Sequence, residues 1–211
     1  MSDMNQPPAA IAIPAAEASA DAGPSYAVTK RYADFELRQY APYTVAEVTV
    51  PGPAEDVGSQ GFKVLAAYIF GGNQGRRSIA MTTPVTNTAA PVRLAMTTPV
   101  TKSAAGAAGA AASGGGFIVQ FTMPRGETLA TLPTPNDARV RLREMPAQHY
   151  AAMTYSGRWT EANDNKHTEA LRKALADAGL RTEGEPILAR YNAPFVLPPL
   201  RRNEVWLRLA P

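Results

Sequence analysis

Residues 34–72 read DFELRQYAPYTVAEVTVPGPAEDVGSQGFKVLAAYIFGG, and their pattern indicates two strands followed by a helix. Residues 34–40 and 43–50 carry alternating or β-branched apolar positions, which predicts two strands joined by a short Ala-Pro turn. From 56–70 the apolar positions take helical spacing, and Gly71-Gly72 ends the predicted helix because glycine accepts the left-handed backbone of a C-cap. The apolar residues of the helix share one face: Phe62, Leu65, Ala66 and Ile69.

The segment AMTTPVT occurs twice, at residues 80–86 and 95–101. Each copy alternates apolar and polar positions, so we expect two strands that form a hairpin. The prolines should lie at strand ends, because proline cannot donate to a sheet ladder. Residues 103–116 consist of Ala, Gly and Ser, a composition typical of a flexible surface loop. A further strand is predicted over 117–123.

The second half of the chain repeats the order of the first half. Strands are predicted at 138–143, 149–155, 186–192 and 203–209. A helix is predicted at 161–178, and the Gly-Leu pair that follows fits a C-cap with its hydrophobic contact. Both halves, 26–123 and 138–211, run strand, strand, helix, strand, strand. One such unit cannot bury both faces of its strands. We therefore expect a single duplicated α+β domain over 26–211, a distorted, mostly antiparallel β-barrel or sheet with two helices and a pseudo-twofold axis.

The composition excludes several classes of function. The 211 residues include 21 Lys and Arg against 18 Asp and Glu, with no concentrated basic stripe, so we expect no nucleic-acid partner. The absence of cysteine removes disulfides, iron–sulfur clusters and covalent haem attachment. Only His149 and His167 offer imidazole, which is too little for a three-histidine zinc site.

Residues 1–24 are rich in Ala and Pro, and we predict that they form a disordered tail. This tail lacks the basic start and the unbroken apolar run of a secretory signal. No stretch approaches the roughly 20 apolar residues of a membrane span. We therefore expect a cytoplasmic protein without a membrane partner.

Six segments resemble the SOUL/haem-binding protein family and occur in the order found in that family. They are DFELRQY, YTVAEVTV, GFKVLAAYIFGGN, IAMTTPVT, FTMP and ARYNAPFVLPPLRRNEVWL, which lie between residues 34 and 207. The resemblance as a whole covers about residues 26–209. The tandem threonine-proline element resembles the bacterial branch of the family. The resemblance implies a distorted β-barrel with two helices and non-covalent binding of haem or related porphyrins in an apolar groove beside the first helix. The same fold resembles small-molecule sensor domains of some transcription regulators.

Haem needs an apolar slot for its ring, cations for its propionates and usually an axial ligand. Apolar residues of the first helix and of the AMTTPVT strands are predicted to form the slot, with core packing as the alternative for each: Phe62, Leu65, Ile69, Met81 and Met96. Arg76 and Arg77 are predicted to meet the propionates, the alternative being solvated or ion-paired surface arginine. Arg201 and Arg202 are predicted to stabilise the fold together with Glu204.

The sequence does not identify the residue that would bind the haem iron. His149, at the start of a strand, is included among the cofactor-binding residues, and His167 on the second helix is a weaker candidate. A structural role is the alternative for both histidines. Some animal members of the family carry a histidine, proposed as the iron ligand, at the position that Gln39 holds here. Glutamine has no imidazole nitrogen, so that ligation cannot be carried over to this chain.

Catalysis is not expected. The chain has no G-x-S-x-G, H-E-x-x-H or phosphate-loop motif. Glu161, Asp164 and Glu169 are predicted to lie on a solvated helix face rather than to form an acid–base pair. The sequence therefore predicts a carrier or buffer of haem or another tetrapyrrole. The alternatives are a small-molecule sensor module that acts through a partner protein, and a haem-degrading enzyme.

Overall fold

Nine strands of the described chain form one antiparallel sheet, and two helices lie against it. The computed structural model describes residues 23–51, 54–89, 116–193 and 195–211. In chain order the elements are β1 (Tyr26–Arg31), β2 (Glu36–Tyr40), β3 (Tyr43–Pro51), α1 (Ala54–Ile69), β4 (Val85–Ala89), β5 (Gly116–Thr122), β6 (Arg141–Met145), β7 (Gln148–Tyr155), α2 (Glu161–Asp177), β8 (Thr182–Arg190) and β9 (Asn203–Leu209). The predicted α+β class is confirmed.

Two short strands, β2 of the first half and β6 of the second, each pair with a long strand of the other half. The strand order is β1-β2-β7-β9-β8-β4-β5-β3-β6, so β2 pairs with β7 and β6 pairs with β3. β2 and β3, which are consecutive in the chain, are therefore not neighbours. The halves join where Val85 of β4 lies opposite Arg190 of β8, and the strand order is equivalent on either side of this junction. The internal duplication itself stays a prediction. Among the described strands, β1 and β6 are the edges of an open sheet.

Both helices pack against the same face of the sheet. α1 covers a cluster that includes Val48 and Val85, and α2 covers a cluster that includes Met153 and Leu188. The register of β4 with β8 puts Val85 and Leu188 on one face, because side chains two residues apart on a strand point the same way. The opposite face carries an aromatic cluster of Tyr40, Tyr150 and Trp206.

Both ends of α2 are capped, and the glycine cap at its end is the one that the sequence predicts. At the start, the Thr160 hydroxyl accepts a hydrogen bond from the backbone N–H of Asn163 at 3.3 Å. At the end, Gly179 has a left-handed φ of +69°, and Leu180 packs against the cluster under α2. No helix in the described ranges is long and apolar enough to cross a membrane.

The structure differs from the predicted strands at β1, at the first AMTTPVT copy and at β6, which begins at Arg141 rather than at residue 138. β1 was not predicted, because YAVTKR places its apolar residues before its polar ones and lacks the alternation typical of a strand. In the first AMTTPVT copy the strand begins only at Val85, directly after the proline. The second copy at 95–101 lies outside the described residues, as do 1–22 and 103–115 of the predicted tail and loop. Gly23 and Pro24, placed in the tail by the prediction, are described and buried.

Candidate functional site

The slot predicted beside α1 is occupied by the protein's own side chains. Leu65 and Ile69 are both 0% exposed in the core. The segment between β5 and β6 closes this flank of the helix: Leu132 joins the same cluster, and the Tyr68 hydroxyl donates to the carbonyl of Pro133 at 3.0 Å. Neither side chain offers surface to a ligand in this arrangement, so the structure shows the core packing that was the alternative for both residues. Contact of Leu65 or Ile69 with a macrocycle stays a prediction.

The other predicted slot residues differ in their exposure. Phe62 is 38% exposed, and its ring centroid lies 5.3 Å from that of Phe121. Met81 is 42% exposed and precedes β4. Met96 lies outside the described residues. Contact of these residues with a macrocycle stays a prediction.

The two arginines predicted to meet propionates follow α1. Arg77 donates from Nη1 to the carbonyl of Thr131 at 2.8 Å and pairs through Nη2 with Glu127. Arg76 is exposed and has a left-handed φ of 52°. Arg77 thus ties the loop after β5 to the end of the helix, and a propionate there would compete with Glu127. Contact of either arginine with a propionate stays a prediction.

His149 lies directly opposite Gln39. The two residues are register partners on β7 and β2, and both side chains are exposed. His149 is therefore the cross-strand neighbour of the position at which some animal members of the resembled family carry a histidine. Side chains alternate along a strand, so His149 points to the same face as Met153, about 13 Å further along β7.

An open cavity of about 720 Å³ lies between α2 and the turn that joins β1 to β2. The register of the sheet explains this space. β2 begins at Glu36, opposite Ala152, whereas β7 continues to Tyr155 without β2 beside it. Ahead of β2 the chain makes a short turn, in which the N–H of Tyr32 donates to the carbonyl of Phe35 at 2.8 Å. This turn faces α2 across the cavity.

The lining of the cavity combines apolar and charged groups. The rings of Tyr32 and Phe35 stack with their centroids 4.3 Å apart and their planes at 10°. The sheet contributes Met153, which also belongs to the core under α2. The charged residues of the lining are Arg31, Asp34, Glu36 and Lys166. Phe35 and Met153 are buried, so the partly exposed Tyr32 ring is the aromatic surface that the cavity offers, with charges of both signs around it.

His167 reaches the cavity from α2. Its Nδ1 lies 2.7 Å from the carbonyl oxygen of Asn163, one turn earlier on the helix. Its ring stacks on Tyr155, with centroids 4.2 Å apart and planes at 11°. A hydrogen bond and a ring contact together fix the orientation of the imidazole.

A buried polar network supports the Tyr155 ring. The Tyr155 hydroxyl donates to Asp164 at 2.7 Å and accepts from Arg190 at 2.9 Å, and Arg190 also pairs with Asp164. Burial raises the pKa of Tyr155 well above its ordinary value, so the phenol stays protonated. Asp164 is buried, which corrects the prediction of a solvated side chain. The helix pattern missed this because the cationic partner lies on a distant strand.

A second charge cluster lies on the sheet face opposite the helices. Glu204 is fully buried and accepts hydrogen bonds from Arg38 at 2.8 and 3.2 Å, Trp206 at 2.7 Å, Tyr191 at 2.9 Å and Arg202 at 2.9 Å. The predicted association of Arg202 with Glu204 is confirmed. The cluster links β2 to β9 across β7, so it stabilises the sheet.

The charge of Glu204 depends on its partners. Burial alone would raise the pKa of this carboxyl, but the charge and hydrogen bonds of Arg38, with the other donors, lower it to about 2. Arg201, the other arginine of the predicted pair, lies with its guanidinium 4.6 Å from the Trp159 ring centroid.

Of the twelve residues that line the cavity, only His167 was named as a candidate from the sequence; Tyr32, Phe35 and Lys166 are among those that were not predicted. Two aromatic residues three positions apart are a signal for contacting rings, but YAVTKR does not alternate in polarity and so gives no strand signal ahead of them. No local pattern, however, places this turn beside a helix that begins over 120 residues later.

The fold and the cavity define an α+β protein with room for a small organic ligand. The sequence profile described as SOUL heme-binding protein matches residues 22–208, and the chain therefore belongs to the SOUL haem-binding protein family. This confirms the resemblance drawn from the six sequence segments. No curated protein matches the chain.

Several solved structures share the fold. An uncharacterized conserved protein from Listeria innocua has 12% sequence identity and a TM-score of 0.59, covering 84% of this chain and 92% of its own. A hydrolase from Listeria innocua has 13% identity and a TM-score of 0.55, with 84% and 92% covered. The C-terminal domain of EcmrR has 9% identity and a TM-score of 0.52, with 83% and 96% covered. At such identities the likeness concerns the fold alone.

Proposed function

We propose that this protein is a non-covalent carrier or buffer of haem or a related porphyrin, and that it holds the macrocycle in the cavity between α2 and the β1–β2 turn. Family membership supports the ligand class. The observation that carries the proposal is the open volume of about 720 Å³, which lies within the range of about 300–1,000 Å³ typical of small-molecule sites. Because side chains fill the flank of α1, we place the porphyrin site beside the second helix rather than the first.

The chemistry of the lining fits a porphyrin. Tyr32 is partly exposed and offers the face of its ring to a flat macrocycle, while Phe35 and Met153, at 5% and 7% exposure, support it from the core. Lys166 on α2 is exposed and can donate charge-assisted hydrogen bonds to a propionate. On the other side Arg31 pairs with Glu36 at 3.1 Å, and Asp34 adds a second negative charge. We therefore propose that the propionates lie toward α2.

The expected affinity suits reversible transfer. Burying ~300 Å² of macrocycle at about 25 cal/mol per Å² gives ~7 kcal/mol before the costs of association. A micromolar dissociation constant corresponds to about 8 kcal/mol, so an axial ligand and propionate contacts are expected to bring the affinity to that range. We propose binding without catalysis, a cytoplasmic location, and no nucleic-acid or membrane partner.

Titration with hemin and with metal-free protoporphyrin tests the proposal. Both compounds should bind saturably, as followed by the hemin absorption band and by quenching of Trp159 and Trp206 fluorescence. Tyr32→Ala should weaken both about tenfold, because it removes one of the two stacked rings at the cavity. Phe62→Ala is the matched control, since it removes an exposed ring beside α1.

The outcomes of the titration test both the ligand class and the position of the site. Failure of the wild-type protein to bind either compound refutes the proposed function. Weakening by Phe62→Ala but not by Tyr32→Ala moves the site back to α1 and refutes the cavity. Saturable binding of other amphipathic molecules, with indifference to both porphyrins, favours the sensor module that acts through a partner protein.

A further inference from the structure

We infer that His167 is the axial ligand of the haem iron, through its Nε2 atom. The inference rests on the proposed function, because it assigns a role to a residue of the same cavity. It goes further by naming the ligating atom. It also places the ligand on the second helix and not on the strand position that Gln39 holds.

The hydrogen bond of His167 fixes the tautomer that ligation needs. Nδ1 lies 2.7 Å from the carbonyl oxygen of Asn163. A carbonyl oxygen only accepts, so the proton of this bond belongs to Nδ1. In the neutral imidazole the lone pair is then on Nε2, the atom that binds a metal. Ligating histidines commonly donate their other ring N–H to a carbonyl in this way, which orients the ring and raises its basicity.

The surroundings of the ring hold it in place before any ligand arrives. Tyr155 supports one face of the imidazole at a centroid distance of 4.2 Å. Tyr155 is held in turn by Asp164 and Arg190. The Nε2 atom lies on the ring edge, which stacking leaves uncovered. The described residues provide no hydrogen-bonding partner for it. A preoriented ring loses little conformational freedom on binding.

The rival ligands fit less well. His149 is the other histidine of the chain, and it lies on β7 about 13 Å from Met153, outside the lining of the cavity. The Tyr155 hydroxyl is committed to Asp164 and Arg190. Met153 is 7% exposed and packs in the core under α2.

Absorption spectra of the hemin-loaded full chain, and resonance Raman spectra after its reduction by dithionite to the ferrous state, test the inference, with His167→Ala, His167→Phe and His149→Ala as variants. His167→Phe keeps a ring on Tyr155 and removes both nitrogens, so it separates ligation from packing. We expect both His167 variants to lose the iron–histidine vibration, to bind hemin at least tenfold more weakly, and to bind protoporphyrin within twofold of wild type. Added imidazole should restore the absorption band of His167→Ala. His149→Ala should match wild type.

The outcomes separate this inference from the proposed function. An unchanged iron–histidine vibration in His167→Phe overturns the inference, as does its loss in His149→Ala. In both cases the proposed function stands, provided that protoporphyrin still binds. If wild type binds neither hemin nor protoporphyrin, the proposed function fails and the inference fails with it.

Discussion

Replacing Glu204 by Gln removes the negative charge at the centre of the buried cluster opposite the helices. Arg38, which is 3% exposed, would lose its bidentate partner, and Trp206 and Tyr191 would lose an anionic acceptor. Glutamine has nearly the same size and keeps one acceptor oxygen. The perturbation is therefore chiefly electrostatic.

The loss of unfolding free energy follows from the burial of the Arg38–Glu204 ion pair. Removing one partner of a buried ion pair costs about 3–5 kcal/mol, because it leaves an uncompensated buried charge. Independently, the pKa of Glu204 is lowered from 4.5 to about 2. At about 1.4 kcal/mol for each tenfold change in proton affinity, this difference stabilises the folded state by ~3 kcal/mol. We expect Glu204→Gln to lower the free energy of unfolding by that amount at pH 7.

The effect should depend on pH with a defined sign. The pKa of the carboxyl is lower in the folded than in the unfolded state, so its contribution is complete above about pH 4.5 and is lost as the pH falls toward 2. The difference between wild type and variant should therefore shrink to ~1 kcal/mol at pH 3.

Urea unfolding at both pH values, followed by Trp206 fluorescence, measures this difference. Glu183→Gln is the control, because its ion pair with Arg208 at 2.9 Å is about half exposed and should contribute less than ~1 kcal/mol. A loss below ~1 kcal/mol for Glu204→Gln at pH 7, or a loss of equal size at both pH values, would refute the reasoning.

Two further substitutions test the packing of α1. A methyl group on Gly61 would overlap Val119 of β5, so Gly61→Ala should lower the free energy of unfolding by ~1–3 kcal/mol. A methyl group on Gly58 would lie 3.5 Å from Asn87, so Gly58→Ala should raise the free energy of unfolding by up to ~1 kcal/mol through helix propensity. Thermal unfolding of both variants compares them, and equal shifts would show that α1 lies further from the sheet. Leu65→Ala should cost ~2–5 kcal/mol in urea unfolding because the side chain is fully buried, and a cost below ~1 kcal/mol would indicate an open slot beside α1.

The elements of the fold could be predicted because their signals are local. The amphipathic spacing of α2 and its Gly179 cap lie within one stretch of chain, and the structure keeps both. Strand pairing depends on residues far apart in sequence, such as Gln39 of β2 beside His149 of β7. No local pattern distinguishes this arrangement from a hairpin of β2 with β3, so the exchange of strands between the halves could not be predicted.

The candidate site was harder to predict than the fold. Haem chemistry directed attention to the apolar stripe of α1, but periodic apolar positions serve as core by default, as Leu65 does here. His167 was a candidate ligand from the start because imidazole is rare in this chain. The hydrogen bond of His167 to the Asn163 carbonyl could be predicted, because residues four apart are neighbours on a helix. Its position across the cavity from the β1–β2 turn could not, because that position depends on the tertiary fold.

The connections that lead into β2 and β6 differ in length, and this difference explains why the flank of α1 is filled and that of α2 is open. β6 lies beside β3 as β2 lies beside β7. The segment 123–140 leads into β6 and is long enough to fold over α1, where Leu132 and Val140 enter the core cluster. The segment 32–35 leads into β2 and is only a tight turn, so it cannot cover the corresponding flank of α2. One topology with two connection lengths thus gives one closed flank and one open flank, and a ligand needs the open one.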